Sequence, residues 1–214
     1  MSIQPGEAGA SAQREYEQRK AADVKASLDK TLGEVGSALS PEPQATRAWA
    51  DGAIGERKLD AVLTAMRGLR ILRDREVGQA NLDFIVVGPA GVFVVDAKHY
   101  RGVITFRDDG DASAPDLRLY VNSQDRSHLA DEMRWQMSKV RKALAVRVKP
   151  VPWVTPVLCF VAGTWVVPMP PVEFRGVSLV SERSIRNLIS DRQALDAASI
   201  DRIYRALAVA FPPK

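Results

Sequence analysis

The chain is poor in the residues that build most metal and disulfide chemistry. Cys159 is its only cysteine, and His99 and His128 are its only histidines. A single cysteine excludes an internal disulfide and any multi-cysteine zinc site. Two histidines leave little for a histidine-based metal centre. Cys159 stands in Val157-Leu158-Cys159-Phe160-Val161 and reads as a small buried hydrophobe. No run approaches the roughly 18–20 apolar residues of a membrane span. Residues 1–12 lack a basic region followed by a hydrophobic stretch, so no secretory leader is expected and a cytoplasmic location is the default expectation. There is no Walker-type glycine loop and no G-x-S-x-G elbow. Nor is there an aromatic-rich basic stripe of the kind that stacks single strands.

What the chain does have is acid in the wrong place. Asn81 to Val87 and Val92 to Tyr100 are rich in Val, Ile and Phe and read as strands around the turn Gly88-Pro89-Ala90-Gly91. Asp83, Asp96 and Lys98 are written into these segments. Buried charges need partners. With residues 88–91 as the loop, Val87 faces Val92, and the same register sets Asp83 opposite Asp96. Opposed side chains have Cβ atoms about 4.5–5.5 Å apart, and like charges there repel. Lys98, two residues on, shares the face of Asp96. Two carboxylates and an ammonium would then share one spot, a place for a hard cation such as Mg²⁺ and for a phosphate. A solvated strand face is the plainer alternative. Val92, Val94 and Tyr100 share that face, while Phe93, Val95 and Ala97 make the other apolar too, the mark of a central strand.

The 46% apolar content is that of a globular protein. The length fits one domain, residues 44–214, preceded by an extension, residues 1–43. Residues 1–12 are expected to be disordered. Arg14 to Leu39 reads as a thin amphipathic helix that packs on the body or on a second copy, giving a homodimer. Gln44 to Arg67 reads as a second helix with Trp49, Leu59, Leu63 and Met66 on its apolar stripe. Glu56 falls about 60° from Leu59, at the margin of that stripe. Gly52 and Gly55 beside it suggest close approach of another backbone.

A short strand is expected at Leu69–Leu72, a strand pair at Gly102–Phe106 and Leu117–Asn122, and strands at Val154–Val161 and Gly176–Val180. Helices are expected at Leu129–Val148, Ser184–Ile189 and Ala194–Phe211. The order implies an α/β layered domain with a mixed sheet. The acids of the Asp108–Asp116 loop lack the spaced glutamate of an EF-hand and read as loop solvation. Arg134 to Lys149 carries six basic residues and no acidic one, a local excess larger than the net charge of +4. Arg134, Lys139, Arg141 and Lys142 are candidates for contacting nucleic-acid phosphates, with a solvated helix face as the alternative.

These stretches together resemble the nuclease-related domain, NERD, of the PD-(D/E)xK nuclease superfamily. The matching segments are Gly52-Ala53-Ile54-Gly55-Glu56, the run from Ala80 through Asp83 and Gly88-Pro89-Ala90-Gly91 to Asp96-Ala97-Lys98, and Tyr100-Arg101-Gly102. Leu82 stands where the superfamily name would place a proline, a frequent departure. The resemblance implies a restriction-endonuclease-like αβββαβ core with a mixed central sheet flanked by helices, to which the N-terminal helix is an addition. It implies Asp83 and Asp96 as metal ligands, Glu56 as the helix glutamate completing the site, Lys98 as the catalytic lysine, and Gln136 as a polar residue on the helix after the hairpins. It also implies Mg²⁺- or Mn²⁺-dependent phosphodiester hydrolysis, with DNA the expected substrate. A nucleic-acid-binding module with a vestigial site and a helix-mediated interaction protein are the alternatives.

Overall fold

The computed structural model describes residues 3–31, 43–78, 80–111, 113–166, 170–191 and 193–214. In chain order the elements are helices α1 (Ala10–Thr31) and α2 (Gln44–Thr64), then strands β1 (Arg70–Val77), β2 (Ala80–Gly88), β3 (Gly91–Lys98), β4 (Gly102–Asp108), β5 (Leu117–Val121) and β6 (Gln124–Asp125). Helix α3 (His128–Arg147) follows, then β7 (Val154–Phe160), β8 (Gly163–Trp165), β9 (Val172–Phe174), β10 (Val177–Ser181), α4 (Ile185–Ser190) and α5 (Ala197–Ala210). No helix among the described residues is long and apolar enough to cross a membrane.

The sheet order is β1-β2-β3-β7-β10-β9, mixed as expected, with β3–β7 and β7–β10 parallel and the other pairs antiparallel. β3 is central, which is why it is apolar on both faces. One side chain set (Phe93, Val95 and Ala97) packs with Leu59 and Leu63 of α2 and Ile185 and Ile189 of α4. The other (Val92 and Val94) packs with Met133, Val140 and Leu144 of α3 and Ile203 and Leu207 of α5. Helices thus cover both faces, the arrangement that parallel pairing requires. A second sheet, β6-β5-β4-β8, adds Ile104, Leu119 and Val121 to the α3 side.

The expected hairpin register holds: Val87 pairs with Val92 and Phe84 with Val95. The ladder runs one pair further than expected, to Gly88 and Gly91, so only Pro89 and Ala90 form the loop. Gly91 sits at φ 134°, and a Cβ there would lie 3.1 Å from the carbonyl oxygen of Trp153. That conformation and that approach favour glycine.

Two local expectations need correction. β1 does not stop at Leu72 but continues through the charged run Arg73–Glu76. The charges there are engaged: half-buried Arg73 donates from Nε to Asp60 Oδ1 at 2.6 Å, buried Arg75 donates from its Nη atoms to the carbonyls of Phe211 and Gln4 while its Nε has no partner, and Asp74 accepts from Ser11. Nor are residues 3–12 loose. The Arg73 N–H donates to the Pro5 carbonyl at 2.7 Å, and Ala8 and Ala12 are buried. The following helix begins at Ala10 rather than Arg14 and lies on the body, with Asp23 accepting from Thr46 Oγ1 at 2.7 Å. The expected end of that helix, at Leu39, lies outside the described residues.

Candidate active site

At one end of β2 and β3, Asp83, Asp96, Lys98 and Glu56 line a single cavity of about 910 Å³. Asp83, Asp96 and Lys98 continue the α3-side parity of Val92 and Val94. Glu56 arrives from α2, whose Leu59 and Leu63 are anchored on the opposite side. The helix margin expected for Glu56 is what lets it reach across: it is buried, yet it lines the cavity. Gly55 makes the approach possible, since a Cβ there would meet the His99 Cβ at 2.8 Å. Gly52 has nothing within 4 Å of such a Cβ, so the close approach belongs to Gly55 alone.

The last ladder pair of the hairpin is Phe84 with Val95, so the expected opposition of Asp83 and Asp96 falls one step beyond the ladder. There Asp83 Oδ2 accepts the Ala97 N–H at 2.9 Å. Lys98 Nζ lies 2.8 Å from Asp96 Oδ2. The β1–β2 register extends the row: Arg73 pairs with Phe84 and Arg75 with Leu82, which sets Asp74 opposite Asp83. Asp74 itself adopts φ 48° and turns to Ser11, whose N–H and Oγ donate to its two oxygens at 2.7 Å each, while Asn81 Nδ2 donates at 3.1 Å. Sequence reading missed Asp74 because it lies in the charged run that seemed to end the strand.

The electrostatics follow from three acids meeting one ammonium. Burial, then Glu56 and Asp96, push the Asp83 carboxyl well above its usual value, with Lys98 pulling the other way. Glu56 is pushed up to about 7, chiefly by burial; the Gly9 N–H, which donates to Oε2 at 2.8 Å, opposes this, while Asp74 and Asp96 add repulsion. Burial works to lower the Lys98 pKa, but Asp96 and Asp83 outweigh it and the net shift is upward. Lys98 therefore keeps its proton at neutral pH. All three shifts are upward, and perturbed groups gathered in one cleft mark it as a candidate functional site.

The donor set suits a hard cation: every candidate ligand atom is a carboxylate oxygen, and the excess negative charge is what a divalent ion relieves. Among the described residues no group of three or more His, Cys, Asp or Glu side chains forms a ready-made metal cluster. Mg²⁺ does not require one. It commonly takes one or two carboxylates, several waters and substrate phosphate oxygens. Asp83 and Asp96 fit the direct ligand role, with Glu56 fitting one through water.

The remaining expected residues lie elsewhere. Gln136 lines a separate cavity with Ala80, Asp131, Glu132 and Trp135, and its Oε1 is buried with no hydrogen-bond partner. Arg134 pairs with Asp131, Lys139 lies 5.0 Å from the Trp135 ring centroid, and Arg141 and Lys142 are exposed on α3. None of these lines the carboxylate cavity. His99 also lines it; its side chain is buried under Gly55, its Nδ1 is 3.5 Å from Asp51 Oδ1, and burial lowers its pKa against the pull of Asp51. Trp49, expected on the apolar stripe, is 39% exposed at the cavity with the Arg19 guanidinium 5.5 Å from its ring centroid.

A family model, the nuclease-related domain (NERD), matches residues 51–161, just over half of the chain. The chain belongs to the NERD family. The matched stretch holds Glu56, Asp83, Asp96 and Lys98, whereas Gly9 and Ser11, which touch Glu56 and Asp74, lie outside it. No curated protein and no solved structure matches the chain.

Proposed function

We propose that this NERD protein is a metal-dependent nuclease that hydrolyses phosphodiester bonds, with DNA as its substrate. The observation that carries the reading is the convergence of Glu56, Asp83, Asp96 and Lys98 on one cavity from two helix-covered sides of the sheet. The order α2-β1-β2-β3, then α3-β7 after the inserted β4–β6, with β3 and β7 parallel, supports a restriction-endonuclease-like core.

In this reading Asp83 and Asp96 hold Mg²⁺ or Mn²⁺. Such an ion, when bound, supplies Lewis-acid polarisation of a phosphate oxygen and an acidified water. Lys98, kept protonated by its two acid neighbours, orients the attacking water and stabilises charge on the phosphate; it is not the base. Glu56, with a proton affinity near neutrality, is the group suited to receive the proton that the water loses. The water oxygen bonds to phosphorus, the ester P–O bond breaks, and the departing oxygen takes a proton from solvent. The basic residues of α3, Arg134, Lys139, Arg141 and Lys142, guide flanking backbone away from the cleft.

The test is incubation of purified protein with linear, circular and single-stranded DNA and with RNA, in Mg²⁺, Mn²⁺ or EDTA, beside Asp96→Ala. Metal-dependent cleavage lost in the variant is the expected result. Absence of cleavage in every condition, or equal cleavage by the variant, rejects it. One observation favours a second reading, nucleic-acid binding without turnover: Lys98, Ala97 and Gly9 already engage oxygens of all three carboxylates. Salt-dependent binding with no cleavage would select it.

A further inference from the structure

Arg126 lines the same cavity as Lys98, yet it comes from the second sheet, at the turn between β6 and α3. Its main chain is fixed: the N–H donates to the Leu119 carbonyl at 2.8 Å, and the neighbouring Ser127 Oγ accepts from the Leu119 N–H at 3.0 Å. Its guanidinium carbon lies 5.0 Å from the Tyr100 ring centroid, and one Nη donates to Gln124. Its Nε is buried and has no hydrogen-bond partner. The adjacent Asp125 does not serve it, being engaged by Arg118 at 2.9 Å and by the Ser127 N–H at 2.8 Å. Among the described residues Arg126 forms no ion pair, although Asp83, Asp96 and Glu56 line the same cavity.

A buried N–H without an acceptor is unfavourable. A rigid planar cation held over an aromatic ring at a cleft is suited to an anion with forked oxygens, and a phosphate is the foremost example. We propose that Arg126 is a phosphate-binding residue of the cleft. Braced on Tyr100, it holds a backbone phosphate adjacent to the one at Asp96 and Lys98. The inference deepens the nuclease reading and rests on it for the identity of the ligand. It gives the cleft a second phosphate contact, so a strand is held in register across the site rather than at the scissile group alone.

The experiment uses the full chain and fluorescein-labelled 20-nucleotide DNA and RNA, single-stranded and duplex, followed by anisotropy in EDTA so that no cleavage intervenes. Wild type, Arg126→Gln and Arg126→Lys are titrated across a salt series. For Arg126→Gln the expected result is about tenfold weaker binding with the log–log salt slope reduced by about one. Arg126→Lys keeps the charge but not the fork, so the slope is expected to return and the affinity to recover only in part. Thermal unfolding of each variant verifies the fold. Wild-type affinity and slope in both variants would overturn the proposal, as would failure of the wild type to bind any oligonucleotide. Cleavage in Mg²⁺ is scored separately. Binding that depends on Arg126 without cleavage defeats only the nuclease reading; cleavage with binding indifferent to Arg126 defeats only this one.

Discussion

Lys98 Nζ and Asp96 Oδ2 are 2.8 Å apart on one strand, side by side on the face turned to the cavity. Replacing Lys98 with Met keeps the length and removes the charge. Cleavage is expected to fall by about 10²–10³-fold, the range for losing one preorganised charge stabiliser. The same change leaves Asp96 without its ion partner and is expected to lower stability by about 2 kcal/mol in urea unfolding. Unchanged turnover would remove Lys98 from the chemistry.

Glu56 makes stability depend on pH in an unusual direction. Its carboxyl titrates at about 7 in the folded protein against 4.5 as its ordinary value. Between those values the folded state holds the proton and the unfolded state has released it. Stability is therefore highest below about 4.5 as far as this group is concerned and falls as pH rises to about 7. The loss is on the order of 3 kcal/mol. Glu56→Gln removes the slope and is expected to be more stable than the wild type at pH 8 while cleaving poorly. Parallel stability–pH curves for the two proteins would refute this.

A cation should relieve the same repulsion. Ten-millimolar-scale Mg²⁺, if near 100 times its dissociation constant, adds about 2.7 kcal/mol. For a chain of this size that raises Tm by roughly 5–10 °C. The rise should be larger at pH 8 than at pH 5, because protons compete for the carboxylates. Asp83→Asn or Asp96→Asn should abolish it; an equal rise in these variants would place the ion elsewhere.

Asp74 ties residues 9–14 to β1 through Ser11 and Arg14, the latter at 3.8 Å. Asp74→Ala strands buried donors and is expected to cost about 1–3 kcal/mol. Hydrogen exchange at Gly9 and Ser11 should accelerate more than at β7. Uniform acceleration across the chain would mean that Asp74 supports the whole fold and not this segment.

Arg141 and Lys142 offer a contrast with the cleft. Their joint replacement by Ala should reduce the salt slope of DNA binding by about two while leaving kcat unchanged. No change in slope would leave α3 a solvated face.

Much of the site was legible because strand chemistry is periodic. Asp83, Asp96 and Lys98 could be set side by side from turn residues and parity alone, and Glu56 from helical spacing. Charge obscured the rest. The Arg73–Glu76 run looks like a strand end until Asp60, Ser11 and two carbonyls are found to engage it. Arg126 and Asp74 depend on contacts between segments distant in sequence, which periodicity does not encode. Gly9 takes φ 74°, so it belongs to a specific turn rather than a loose tail.

That turn also separates two notions of a domain. The sequence match begins at residue 51, but Glu56 receives a hydrogen bond from Gly9, and Pro5 extends the edge of β1. A fragment cut at the family boundary would retain Glu56, Asp83 and Asp96 and still bare a carboxylate, a strand edge and the apolar seats of Ala8 and Ala12. Its silence in a cleavage assay would report on the cut, not on the full chain.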